Sequence, residues 1–139
     1  MPGSFVVDNS VVMSWCFQDQ ANDYADAVLG RLVDASAYVP SVWPLEVVNV
    51  LLAAERRNSI SEANSVRFIN LLSQLPILVQ QEGPEKGMKD LLALARAHDL
   101  SSYDASYLDL AMKKGLPLAT LDKKLRWAAK TVKLRIFPE

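Results

Sequence analysis

Short apolar runs alternate with longer stretches of helical period along most of the chain. Phe5-Val6-Val7 is a β-branched run of strand length that ends at Asp8. Residues 21–34 put Ala25, Val28, Leu29, Leu32 and Val33 on one helical face. Ala37-Tyr38-Val39 reads as a second strand, and Pro44 suits the first turn of a helix running to about Asn58. Ser61 can cap the next helix, with a face of Val66, Ile69, Leu72 and Leu75. Ile77-Leu78-Val79 reads as a third strand, and Gly83-Pro84 opens a helix carrying Leu91, Leu92, Leu94 and Ala95. Ser101 caps a helix from about Ser102 to Lys114, stopped by Gly115 in the left-handed position. Leu118-Ala119-Thr120-Leu121 is a strand ending at Asp122, followed by a short helix around 123–130 and a last strand, Leu134-Arg135-Ile136.

Strands separated by full-length helical crossovers imply an α/β domain with a parallel sheet. With 139 residues, half of them apolar, residues 1–139 are expected to form a single globular domain. No apolar run approaches the ~18 residues of a membrane span. Met1-Pro2-Gly3-Ser4 lacks the basic start of a signal peptide, and a lone cysteine, Cys16, suits a reducing compartment. The expectation is a cytoplasmic protein.

Net charge is −1, but it is unevenly spread. Residues 113–139 hold eight Lys and Arg against Asp122 and Glu139, a local +6, so the first 112 residues carry −7. A solvated basic surface is the plain reading; a phosphate-binding face beside an acidic site is the functional one.

In open parallel sheets, functional groups gather beyond the carboxyl ends of the strands. Asp8 and Asp122 each follow a strand there. Asp104 lies in the first turn of its helix, where the dipole favours a carboxylate and where S-x-x-D spacing also fits a capping box with Ser101. Glu46 opens a helix that is apolar almost all round, an awkward place for an unpaired charge. Four carboxylates within ~5 Å of one another would repel by roughly 3 kcal/mol per pair at an effective dielectric of ~20. Such a cluster takes up protons or binds a cation, and all-oxygen ligands select Mg²⁺ or Mn²⁺. One histidine and one cysteine cannot build a zinc site rich in nitrogen or sulfur. Metal-bound water attacking a phosphodiester is the chemistry that suits such a cluster. Spacing alone does not bring the four together.

Val7-Asp8-Asn9-Ser10-Val11-Val12 resembles the opening D-x-S motif of PIN domains. Pro44-Leu45-Glu46-Val47-Val48-Asn49 resembles their helical glutamate segment, Ser102-Tyr103-Asp104-Ala105-Ser106-Tyr107 their third motif, and Leu118-Ala119-Thr120-Leu121-Asp122-Lys123 their fourth. Order, spacing and length all agree, and the pattern is similar to the VapC group of toxins from toxin–antitoxin pairs. The resemblance implies a three-layer α/β/α sandwich around a parallel sheet of about five strands. It implies Mg²⁺- or Mn²⁺-dependent cleavage of RNA by Asp8, Glu46, Asp104 and Asp122. Ser10 and Thr120 would hold an acid by hydroxyl hydrogen bonds, and Asn49, one turn after Glu46, would orient it. A small VapB-like antitoxin and a homodimeric assembly are the implied partners. Lys123, Lys124 and Arg126 are weaker candidates for RNA contact. Asn9 departs from the small residue that PIN domains often carry there, which bears on the shape of the site.

Other residues invite roles with less support. His98 sits in the last turn of a helix, where a cation complements the dipole. Asp99 is read as a helix cap and Cys16 as apolar filler. Trp15, Phe17 and Trp43 are read as core or subunit interface, and Trp127, among four basic residues, as core in preference to RNA contact. Asp109 turns away from Asp104. The competing functions are a PIN nuclease of RNA maturation without an antitoxin, and a metal-free α/β binding or signalling module. A phospho-receiver needs two adjacent early acids, and a D-x-D phosphatase needs an acid where Ser10 stands.

Overall fold

A computed structural model describes residues 3–17, 22–81 and 87–138. Strand β1 (Phe5–Val7) is followed by helices α1 (Asn9–Cys16) and α2 (Asp23–Arg31), strand β2 (Ala37–Val39), and helices α3 (Trp43–Arg56) and α4 (Glu62–Ser73). Strand β3 (Ile77–Val79), helices α5 (Met88–His98) and α6 (Ser102–Lys114), strand β4 (Leu118–Ala119) and helix α7 (Lys123–Thr131) complete the order. The sheet runs β3-β2-β1-β4, every pair parallel. Register pairs Val6 with Tyr38 on one side and with Leu118 on the other. Helices enclose the sheet in the expected α/β/α arrangement, so all of β1 is buried and shows no polar alternation.

The sheet has four strands where about five were expected. Leu134-Arg135-Ile136 contributes one parallel bridge, Leu118 to Ile136, beside a β4 of only two residues. Arg135 O accepts from Leu118 N at 3.0 Å and Phe137 N donates to Leu118 O at 2.9 Å, after which Pro138 has no N–H to continue a ladder. Helix α1 was not anticipated. Its Val11, Val12 and Met13 are consecutive and buried, and such a run hides the helical period. The helix expected from Gly83-Pro84 is described from Met88, its proposed start lying outside the described residues.

Three expected faces shift. Val33 lies beyond α2 and is 90% exposed. In α4 the buried residues are Ser65, Phe68 and Leu72, which turns Val66 and Ile69 outward. Trp127 is 73% exposed, contrary to its expected core position, because Leu125, Ala128 and Ala129 already form the inner face of α7. Trp43 is buried, and Trp15 packs partly against the core with Nε1 donating to Ala25 O at 2.8 Å. Cys16 is a free, half-buried thiol packed against the core. Among the described residues, no helix is long and apolar enough to cross a membrane.

Candidate active site

The site starts where β1 ends. Asp8 leaves the strand extended and caps α1, its Oδ1 accepting from Ser10 N at 2.7 Å. Its Oδ2 accepts from Ser10 Oγ at 3.0 Å and from Thr120 Oγ1, at the end of β4. Both hydroxyls also accept: Ser10 Oγ from Leu121 N and Thr120 Oγ1 from Asp122 N, each at 3.0 Å. Two hydroxyls thus tie the ends of neighbouring strands together around one carboxylate. Asp122 then caps α7, accepting from Lys124 N at 2.8 Å and Leu125 N at 3.3 Å.

The remaining acids come from helix first turns. Ser101 Oγ accepts from Asp104 N at 3.0 Å, which is the serine half of the capping box read from S-x-x-D. Glu46 accepts a hydrogen bond from the Tyr107 hydroxyl. Tyr107 was not anticipated, although it stands three residues after Asp104 on the same helical face and a buried phenol needs a partner. Asn49 is exposed on α3 and borders the same surface depression as Glu46.

Burial pushes the Asp8 carboxyl up to about 6, against the opposing bonds from Thr120 and Ser10, and Asp104 adds to the rise. Glu46 is raised by burial, then by the charges of Asp8 and Asp104, with the Tyr107 bond opposing. Asp104 is raised by burial and by Asp122, with Ser101 and Lys124 opposing. The four acids therefore form one electrostatically connected set centred on Asp104. Among the described residues, no three of them stand where they could together hold a metal ion. The donor set nonetheless fits a hard cation: it is all oxygen and mutually repelling, and its cationic neighbour Lys124 gives its ammonium to Asp99 at 2.9 Å.

Other sequence candidates lie around this set. Arg126 donates to Thr120 O at 2.7 Å and lies 5.0 Å over the Tyr24 ring, so it braces the site wall. Lys123 is exposed. Asp99 adopts the left-handed conformation at the end of α5, as a cap does, and Asp109 pairs with Lys113 at 2.9 Å. His98 closes the last turn of α5.

A parallel α/β domain with four acids at the carboxyl end of its sheet is the class this geometry defines. The PIN domain profile matches residues 5–130, and the chain belongs to that family. It is 28% identical over 125 residues to "Ribonuclease VapC3" of Pyrobaculum aerophilum, covering 86% of this chain and 90% of that relative. A "Ribonuclease VapC3" of Mycobacterium tuberculosis is 29% identical over 126 residues, covering 89% and 86%. Among solved structures, PAE2754 from Pyrobaculum aerophilum superposes with a TM-score of 0.68 at 23% identity, over 90% of this chain and 85% of that one. FitAcB from Neisseria gonorrhoeae gives 0.62 at 20% identity over 96% of each chain. These two likenesses speak to the fold.

Proposed function

We propose that this chain is a divalent-metal-dependent endoribonuclease, the toxin of a toxin–antitoxin pair, acting in the cytoplasm as a homodimer restrained by a small antitoxin. The connected carboxylates, two at strand ends and two on helix first turns, are the observation that carries this reading. The ribonuclease names of relatives that align over most of the chain support it. Asp8, Glu46, Asp104 and Asp122 would hold Mg²⁺ or Mn²⁺, which when bound supplies charge neutralisation and an activated water at a phosphodiester.

The protein's own part is orientation. Ser10 and Thr120 fix both oxygens of Asp8, and Tyr107 aims Glu46. Lys123, Lys124 and Arg126, near the acids, would meet RNA phosphates. An open acidic surface also invites a partner's arginine, which pairs bidentately with carboxylates. Purified chain should cut RNA only with Mg²⁺ or Mn²⁺, and Asp104→Asn should lower the rate more than about a hundredfold while remaining folded. Cleavage that survives both chelation and Asp104→Asn would refute the reading.

A further inference from the structure

Beside Glu46, against the outer side of α3, lies a depression of about 520 Å³, a size that accommodates small ligands. Asn9, Leu45, Val48, Leu52 and Tyr103 share its wall with Glu46. Leu45, Val48 and Leu52 are exposed apolar side chains, and the Tyr103 ring, next in sequence to Asp104, is 56% exposed. Asn9 is the contrast. It is 7% exposed, and its Oδ1 is buried without a hydrogen-bond partner among the described residues. Folded proteins keep few such atoms, because a buried acceptor lacking a donor destabilises the fold. At the first position of α1 an alanine would fit without that cost. An unmet carbonyl at the edge of a reactive site calls for a donor arriving with a ligand.

The lining indicates which part of an RNA would enter. Among the described residues no Lys or Arg borders the depression, and the Glu46 carboxylate repels a phosphate. Apolar side chains suit the flat faces of a base, and an exposed aromatic ring gives it a stacking partner. We propose that this depression is a nucleobase subsite, where an unpaired base stacks on Tyr103 and its exocyclic amine donates to Asn9 Oδ1. The proposal rests on the ribonuclease reading. It predicts discrimination against uracil, whose exocyclic groups are both carbonyls and would set oxygen against oxygen.

The test has a binding arm and a cleavage arm. In chelator, short oligoadenylate should bind wild type more tightly than oligouridylate. That ratio should fall about tenfold in Asn9→Ala, the range of one base-edge contact. Tyr103→Ala should weaken both oligonucleotides about tenfold, while Tyr103→Phe keeps the ring and the affinity. On random-sequence RNA with Mn²⁺, cleavage sites should avoid uracil at one fixed position in wild type, and the avoidance should fade in Asn9→Ala. The melting temperature of Asn9→Ala should equal or exceed that of wild type, and a marked fall would assign Asn9 a structural role and overturn the subsite. So would an unchanged base ratio in Asn9→Ala, unchanged affinity in Tyr103→Ala, or a wild-type dimer that Leu45→Asp dissociates, which would mean that a second copy covers the depression. If wild type cuts no RNA, the ribonuclease reading fails by itself, and the binding arm still decides the subsite.

Discussion

Asp8 and Asp122 both follow the carboxyl end of a strand and both cap the helix that comes next, yet one is sealed in protein and the other is half-open to solvent. Asp8 is 4% exposed and accepts from three donors that span two strand ends. Among the described residues Asp122 accepts from the backbone of its own helix, and Glu46 and Asp104 stand half-buried on first turns. The site therefore has a deep half fixed by hydroxyls and a shallow half carried on helix ends. The deep half is pre-oriented and bears the larger desolvation cost. The shallow half is partly open to solvent, and among the described residues no three of the acids stand where they could together hold a metal ion.

The largest expected effect comes from the sealed acid. With its folded-state pKa near 6 against an ordinary 3.8, Asp8 holds its proton more tightly in the folded chain. Between those values the folded state binds more protons, so stability falls as pH rises from about 4 to 6 and stays lower above. A shift of this size corresponds to about 3 kcal/mol for a fully buried group. Urea unfolding without metal should reveal that slope in wild type and a flatter one in Asp8→Asn, which has no proton to lose. Identical slopes would erase the distinction between deep and shallow halves.

A smaller effect separates the hydroxyls that serve each half. Thr120→Val keeps shape, removes a donor from Asp8 and strips an acceptor from Asp122 N, so it should cost about 1–3 kcal/mol. Losing that bond should also carry the Asp8 pKa higher still, because Thr120 opposes the rise. Tyr107→Phe removes one bond from a half-buried Glu46 that still reaches water, and about 0.5–1.5 kcal/mol is expected. Denaturant midpoints would rank them, and the reverse order would show that Glu46 is the more tightly enclosed acid.

The same division governs what the sequence revealed. Asp8 and Asp122 were legible because a strand end in a parallel sheet points at a site, whereas Ser10 and Thr120 were legible only through the resemblance to PIN domains, since a hydroxyl two residues from an acid is by itself ordinary turn polarity. Tyr107 was hidden: its partner is 61 residues away in the chain, a contact that no local period encodes. Trp127 was misread because a tryptophan among basic residues looks the same whether its helix faces in or out. Small residues settle the matter, since Ala128 and Ala129 let α7 pack closely and leave the indole outside. The fifth strand failed for a similar reason. Leu134-Arg135-Ile136 has strand composition, but β4 offers only two residues against which to pair.

The smallest effects should come from the basic helix, where the three candidate RNA contacts are not equivalent. Arg126 is bound to Thr120 O and packs over Tyr24, so Arg126→Ala removes apolar contact as well as charge and should loosen the deep half. Lys124 forms an exposed pair with Asp99, worth at most ~1 kcal/mol, and its charge lowers the pKa of Asp104. Lys123 is exposed at the start of α7, and its loss should leave stability within about 0.5 kcal/mol. If α7 meets RNA backbone, Lys123→Ala should reduce the salt slope of single-stranded RNA binding by about 0.7, the value for one released counterion, with equal weakening across sequences. Fluorescence anisotropy at several salt concentrations reads that slope directly. An unchanged slope in Lys123→Ala and Lys124→Ala together would return α7 to solvated surface and leave RNA positioning to other parts of the site.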